Sequence, residues 1–111
     1  MQNFGEIMKQ VREMQDSMSA MQEELGRRRV TARSGGGMVT VVCNGRQEIL
    51  SVSIEKVAID PAEAEMLQDL VLTAVNEALR LSREMAAEEM KRVTGGLSAL
   101  MPGGLNLPGL S

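Results

Sequence analysis

The fold is decided by residues 27–54, which read RRRVTARSGGGMVTVVCNGRQEILSVSI. This stretch contains three short runs rich in valine, isoleucine and threonine, residue types that favour β-strands. The glycines at 35–37 separate the first two runs, and Asn44-Gly45 separates the second from the third. Asn-Gly between apolar runs is a strong hairpin signal. We therefore predict a three-stranded antiparallel meander, with strands at residues 27–33, 38–43 and 47–54.

A long helix is predicted after the strands. Asp60 is a candidate N-cap, Pro61 suits the first helical position, and Glu63 stands where a capping box needs an acid. Apolar residues recur at helical spacing over residues 67–85, and Gly95-Gly96 is the expected stop. Such a helix is about 50 Å long, whereas a strand of six residues spans about 20 Å. The sheet is therefore expected to cover only part of this helix.

An earlier helix is predicted at residues 4–25, with Gly26 as its stop. Its apolar residues alternate in steps of three and four, a spacing that forms a heptad seam. This seam consists of Phe4, Ile7, Val11, Met14, Met18, Met21 and Leu25. An isolated amphipathic helix is marginal in water, so this one needs a helical partner. We expect it to pack on the far half of the second helix, forming a two-helix arm that projects from the sheet.

Composition limits the classes of function. The chain of 111 residues suits one domain, and it has no histidine and one cysteine, Cys43. A single cysteine cannot form a disulfide within the chain, which favours a reducing, cytoplasmic setting. No apolar run approaches the roughly 18 residues that a membrane span needs. No histidine can activate Cys43, and the glycine run lacks the spacing of a phosphate loop. We therefore predict no enzyme activity, cofactor, metal site, small-molecule substrate or membrane association.

Charge is distributed unevenly along the chain, although the net charge is only −3. Residues 26–54 hold five arginines against the single acid Glu48, whereas residues 1–25 and 55–79 are acidic. Residues 95–111 carry no charge and are rich in glycine, proline and leucine. We therefore expect one domain at residues 1–94, followed by a flexible tail at residues 95–111.

Several segments of the chain are informative together, namely Met14-Gln15, Met21-Gln22-Glu23-Glu24-Leu25, Ser34-Gly35-Gly36-Gly37-Met38-Val39-Thr40-Val41, Asn44-Gly45, Ile59-Asp60-Pro61, the run from Asp69 to Ala78, and Gly95-Gly96-Leu97. In their order and spacing, these segments resemble the YbaB/EbfC family of bacterial nucleoid-associated proteins. The resemblance implies an α+β protomer with the order α-β-β-β-α and a tweezer-like homodimer with helical arms. It also implies binding of double-stranded DNA that alters DNA conformation and influences gene expression, in the nucleoid of the cytoplasm.

Cations are the candidate DNA contacts, because guanidinium and ammonium groups form charge-assisted bonds with phosphates. The candidates are Lys9, Arg12, Arg27, Arg28, Arg29, Arg33, Arg80, Arg83, Lys91 and Arg92. Antiparallel packing of the arm is expected to gather four of them near the arm tips, namely Lys9, Arg12, Lys91 and Arg92. The alternatives are solvated charges on a strand edge, salt bridges to the second helix, and pairs along one helix such as Arg80–Glu84 and Glu88–Arg92.

Duplex DNA is favoured over single strands, because single-strand binders need aromatic stacking platforms and Phe4 is the only aromatic residue. No recognition-helix or zinc-finger pattern is present, so the contacts are expected to fall mainly on phosphates. A competing interpretation is a homodimeric protein–protein interaction scaffold that uses the helical arms or the leucine-rich tail. The acidic net charge supports that alternative.

Overall fold

The computed structural model of the protein describes residues 4–99, and residues 1–3 and 100–111 lie outside the described part. The main elements in chain order are α1 (Phe4–Arg27), β1 (Arg29–Ser34), β2 (Val39–Asn44), β3 (Ile49–Ile54) and α2 (Ala64–Ala99). Short 3₁₀ turns lie at Gly35–Gly37, Lys56–Ala58 and Pro61–Glu63. The predicted α+β class and the order α-β-β-β-α are confirmed.

The sheet is an antiparallel meander in the order β1-β2-β3. Ala32 pairs with Val41, and Val41 pairs with Val52, so these three side chains form one row on the same sheet face. The first half of α2 packs on this inner face, where its small residues allow close approach to β1 and β2. The core consists of Ala32, Val39, Val41, Cys43, Ala74 and Ala78.

The backbone between β1 and β2 adopts a conformation that requires glycine. Gly35, Gly36 and Gly37 have φ angles of 61°, 67° and 98°, which residues with a Cβ rarely adopt. A Cβ on Gly35 would also lie 3.0 Å from the methyl carbons of Leu70 on α2. The run is a tight connection between strands packed against the helix.

The Asn44-Gly45 hairpin forms, but its turn spans Asn44 to Gln47. The Asn44 Oδ1 atom accepts hydrogen bonds from the backbone N–H groups of Arg46 at 2.9 Å and Glu48 at 3.1 Å. The positive φ angle of 63° falls on Gln47, and a bulge shifts the register between β2 and β3. The strand predicted from residue 47 therefore begins at Ile49.

Four further boundaries differ from the prediction, at the end of α1, the start of β1 and both ends of α2. Helix α1 continues through Gly26 to Arg27, and β1 begins at Arg29, so Arg27 is helical rather than part of a strand. Helix α2 continues past Gly95-Gly96 to Ala99, because a glycine in a helix costs only about 1 kcal/mol relative to alanine. At the other end, Asp60 caps the first turn as predicted, but that turn is 3₁₀ and α2 begins at Ala64.

The second half of α2 extends beyond the sheet and packs antiparallel to α1, in agreement with the arm expected from the helix lengths. Met21 and Leu25 are buried at this contact. The backbone N–H of Gly45 donates a hydrogen bond of 2.8 Å to the Leu25 carbonyl, so the β2–β3 turn is fixed to the end of α1. On its other side, the N–H of Gln47 donates to the buried Ser82 hydroxyl of α2 at 3.0 Å. Within residues 4–99, neither α1 nor α2 contains a stretch with the length and hydropathy of a transmembrane span.

Candidate nucleic-acid interface

The sheet has an outer face, which points away from α2. Side chains alternate along a strand, so this face carries the residues between those of the core. Arg33 stands in one row with Thr40 and Ser53, and Thr31 stands in the next row with Val42 and Ser51. We call this surface the outer sheet face and define it by Arg29, Thr31, Arg33, Thr40, Val42, Ser51 and Ser53.

The outer sheet face is positively charged. The three strands contain two arginines, Arg29 and Arg33, and no acidic residue. Both arginines are exposed, and neither forms an ion pair with any described residue. The Arg29 guanidinium donates to the carbonyls of Gly26 at 3.2 Å and Arg27 at 3.0 Å, so the negative end of the α1 dipole offsets part of its charge, but no carboxylate neutralises it among the described residues. These two guanidinium groups have charge available for an external anion.

The other two arginines of the cluster have partners within the chain. The Arg27 guanidinium contacts the Glu24 carboxylate one turn earlier on α1, at 3.0 Å. The Arg28 guanidinium reaches across to α2 and contacts the Glu89 carboxylate at 2.9 Å. The three consecutive arginines therefore differ, because Arg27 and Arg28 form ion pairs and Arg29 forms none with a described residue. The alternative of a salt bridge to the second helix is correct for Arg28.

Glu89 binds two arginines at once and is the most enclosed acid of the arm. Arg92 contacts its second carboxylate oxygen at 2.7 Å, and only 11% of the Glu89 side chain is exposed. The hydrogen bond from Arg92 holds the pKa of the Glu89 carboxyl below its ordinary value, and the positive charge of Arg28 acts in the same direction. The same contact raises the pKa of Arg92. This cluster joins the end of α1 to α2.

Arg80 is also neutralised within α2. Its guanidinium contacts the carboxylates of Glu77 and Glu84, which stand one turn away on either side. The hydrogen bond from Arg80 lowers the pKa of Glu77, and the pKa of Arg80 is raised by that bond and by the neighbouring charges. The predicted Arg80–Glu84 pair is present. The predicted Glu88–Arg92 pair is wrong, because Glu89 faces α1 and Arg92 turns to it.

The remaining candidates lie on the arm and are spread along it. Lys9, Arg12, Arg83 and Lys91 are exposed and form no ion pair with a described residue. Arg92 contacts the same Glu89 carboxylate as Arg28, so it is level with the C-terminal part of α1. Arg12 lies about 18 Å further along that helix at 1.5 Å per residue. The expected gathering of these cations at the arm tips is therefore wrong.

Two exposed cations were not among the sequence candidates. Arg46 lies in the β2–β3 turn, where its Cδ atom is 3.3 Å from the position that a Cβ on Gly26 would take. Lys56 lies in the 3₁₀ turn after β3. The signal for Arg46 was present in the sequence, because it belongs to the basic stretch 26–54.

The described residues offer few groups for other chemistry. Cys43 is a buried strand residue with no exposed surface. Within residues 4–99, no three histidine, cysteine, aspartate or glutamate side chains converge as metal ligands would.

Strand β3 carries an exposed apolar surface, because α2 packs mainly on β1 and β2 and does not cover it. Ile49, Leu50 and Val52 remain exposed, at 39%, 45% and 46%, and we call these three residues the β3 surface. Beside it lies an apolar groove of about 640 Å³ between β3 and the start of α2. The groove is lined mainly by Ile54, Ile59, Leu67, Val71, Leu72 and Val75.

Known proteins share both the sequence and the fold of this chain. It is 55% identical to a nucleoid-associated protein of Syntrophobacter fumaroxidans over 93% of this chain and 91% of that protein. It is 54% identical to a nucleoid-associated protein of Desulforamulus reducens over 97% of this chain and 95% of that one. The crystal structure of an uncharacterized protein from Helicobacter pylori has a similar fold, with a TM-score of 0.65 at 24% identity, covering 87% of this chain and 98% of the other. A family model matches residues 1–97, and the chain therefore belongs to the YbaB/EbfC DNA-binding family.

Proposed function

We propose that the protein is a nucleoid-associated protein of the cytoplasm that binds double-stranded DNA, largely through its phosphates. The observation that carries the proposal is that Arg29 and Arg33 form no ion pair with a described residue and lie on a sheet face whose three strands contain no acid. Arginine forms bidentate, charge-assisted bonds with phosphate oxygens. The hydroxyl groups of Thr31, Thr40 and Ser51 lie on the same face and are additional donors for phosphates.

The outer sheet face favours contacts with the backbone of DNA over contacts with base edges. Apart from its arginines it carries short side chains, such as Thr40 and Ser53, which do not reach into a groove. Direct base readout uses an element inserted into the major groove, whereas phosphate contacts carry no sequence information. We therefore expect binding with little sequence preference.

We also propose that the protein is a homodimer joined through the β3 surface. In the described part of the chain, β1 and β3 each have one edge that pairs with no other strand. Strand β1 carries two arginines, whereas β3 carries no charge. Charges on an edge strand oppose pairing with another strand, so β3 is the edge open to a second copy. Its exposed apolar side chains and the adjacent apolar groove would be covered in the same contact. Two copies then present two outer sheet faces to one duplex.

Salt-dependent binding tests the DNA proposal. Fluorescence anisotropy with a labelled random-sequence duplex gives the affinity at several salt concentrations for three forms of the protein. The variant Arg29→Gln/Arg33→Gln removes the two arginines that form no ion pair with a described residue. The matched control is Arg27→Gln/Arg80→Gln, which changes the net charge equally but removes arginines already paired with glutamates.

The wild type should bind at low salt and weaken steeply as salt rises, because each phosphate contact releases counterions. Arg29→Gln/Arg33→Gln should bind more weakly and with a slope reduced by about 1 for each lost contact. The control should stay near the wild type. Equal loss in both variants would contradict the role of the outer sheet face. A wild type that does not bind duplex even at low salt would contradict the function and favour the protein–protein interaction scaffold.

The proposal includes a change in DNA conformation and, through it, an influence on gene expression. A dimer that holds phosphates at fixed positions favours duplex shapes that match it, and bending a short site costs of order 1–6 kcal/mol. Additional phosphate bonds to the bent duplex must offset that cost. Ligase-catalysed circularisation of short duplexes measures the effect, and a circle yield unchanged by saturating protein would contradict it.

A further inference from the structure

The N-terminal half of α1 carries an apolar seam with no partner among the described residues. Its five residues are each between 42% and 75% exposed, whereas Met21 and Leu25 of the same helix are buried. We call these five residues the α1 seam, namely Phe4, Ile7, Met8, Val11 and Met14. A contiguous apolar surface of this kind marks a contact site more often than a solvated face.

The α1 seam is bare because the described part of α2 ends before it. The two helices run antiparallel, and the Arg28 guanidinium at the end of α1 contacts the Glu89 carboxylate of α2 at 2.9 Å. Counting along both helices from this ion pair, Ala99 at the end of α2 is level with about residue 18 of α1. Residues 4–16 therefore extend beyond α2 by about 20 Å at 1.5 Å per residue.

We infer that the segment which follows α2, residues 100–111 with the sequence LMPGGLNLPGLS, packs on the α1 seam of the same chain. The segment starts at the point where α1 loses its helical partner. It carries no charge, and its apolar residues are Leu100, Met101, Leu105, Leu107 and Leu110. Twelve residues reach up to about 40 Å when extended, twice the distance of about 20 Å by which α1 extends beyond α2.

The sequence of this segment fits the α1 seam in its chemistry. Pro102 and Pro108 prevent a continued helix, so an extended path along α1 is favoured. Met8 and Met14 are unbranched and adapt to irregular partners, which suits leucines without a fixed helical spacing. The apolar groove beside β3 fits less well, because Val75 is about 36 Å from Ala99 along α2 and a segment binding there would be almost fully extended.

Hydrogen exchange on the full-length protein tests this contact. The variant Leu105→Ser/Leu107→Ser/Leu110→Ser alters only the segment after α2, so the folded domain is unchanged, and Asn106→Ser is the matched control. Amides of residues 4–16 should exchange at least about threefold faster in the triple variant, because an unpacked helix end frays. Amides of the sheet should keep their wild-type rates. Equal rates in residues 4–16 for all three proteins would overturn the inference.

A disulfide trap identifies the chain that supplies the segment. Ile7→Cys/Leu107→Cys should give a disulfide within one chain under mild oxidation, seen as a monomer band on a non-reducing gel whose two introduced thiols no longer react with maleimide under denaturing conditions until a reductant is added. The native Cys43 is fully buried and does not compete. A covalent dimer of the double variant that Ile7→Cys alone does not form would assign the segment to a second copy and overturn the inference. A covalent dimer of Ile7→Cys alone would show seam-to-seam packing and would also overturn it.

Discussion

Gly45 joins the β2–β3 turn to the end of α1 through its backbone N–H, and the close approach is possible because glycine has no side chain. Its N–H donates to the Leu25 carbonyl at 2.8 Å, and a Cβ at this position would lie 2.9 Å from the same oxygen. That oxygen belongs to the backbone of α1 and cannot turn aside, so a side chain would force the turn away from the helix. Glycine is needed here for close approach, because its φ angle is not positive.

We therefore predict that Gly45→Ala lowers the free energy of unfolding by about 2 kcal/mol or more, as expected for an overpacked site that also loses a hydrogen bond. Urea denaturation measures the difference. Gly5→Ala is the control, because a Cβ at Gly5 meets no atom within 4 Å and alanine favours the helix. A loss in Gly45→Ala no larger than in the control would show that the turn yields to the added methyl group.

Glu89 makes the stability of the arm depend on pH. Its pKa in the folded protein is held below the ordinary value of 4.5 by Arg92 and Arg28. A carboxyl with a lowered pKa stabilises the fold fully above its unfolded value, and this contribution is lost as pH falls through the folded value. Glutamine cannot titrate, so Glu89→Gln should be less stable than the wild type at neutral pH. The difference should shrink as pH falls below about 4.5.

Thermal denaturation at a series of pH values measures this effect. Glu88→Gln is the matched control, because Glu88 is exposed on the same turn and forms no ion pair with a described residue. The control should follow the wild type across the whole range. A difference between Glu89→Gln and the wild type that stays constant down to about pH 3 would rule out the titration of this carboxylate as its source.

At the scale of elements, the start of α2 depends on one carboxylate. The Asp60 Oδ1 atom accepts a hydrogen bond of 3.0 Å from the Ala62 N–H and caps the 3₁₀ turn that leads into the helix. Without it, a backbone donor at the positive end of the helix would lose its partner. Asp60→Ala should therefore cost about 1 kcal/mol of unfolding free energy, measured by urea denaturation. Asp69→Ala, an exposed change within α2, should cost less than half as much, and equal losses would exclude capping as the cause.

Elements were predictable where their signals are local. The glycine run, the Asn-Gly pair and the Asp60-Pro61 start all act within a few residues, and each was assigned correctly to a turn or cap. The ends of α1 at Arg27 and of α2 at Ala99 were missed, because each helix continues past a glycine, which costs only about 1 kcal/mol relative to alanine. The turn at Gly45 was predicted, but its contact with Leu25 joins residues far apart in sequence.

The candidate site was predictable only as a basic region. Arg28 and Arg33 are equivalent in a sequence, yet Arg28 binds Glu89, an acid 61 positions away, and Arg33 has no such partner among the described residues. No local pattern identifies which acid a strand arginine will meet. The outer sheet face emerges only when the register places Arg33, Thr40 and Ser53 in one row.

At the scale of the whole molecule, the proposed homodimer predicts that DNA affinity depends on dimerisation. One outer sheet face offers two arginines, and a phosphate contact made by arginine is individually weak at physiological salt. Joining two copies makes the second set of contacts intramolecular, so the affinity of the dimer exceeds that of either face. A protomer that cannot dimerise should therefore retain its fold and lose most of its binding, although none of its cations has changed.

The variant Leu50→Ser/Val52→Ser tests whether DNA affinity depends on dimerisation. Both side chains are about half exposed in the single chain, at 45% and 46%, so the protomer should lose little stability when they become polar. Sedimentation should show a monomer, and duplex affinity should fall by about tenfold or more. Val57→Ser is the control, since this side chain is 80% exposed on the turn after β3, outside the β3 surface and the groove. A double variant that stays dimeric would move the interface elsewhere, and a monomer with full affinity would show that one outer sheet face is sufficient.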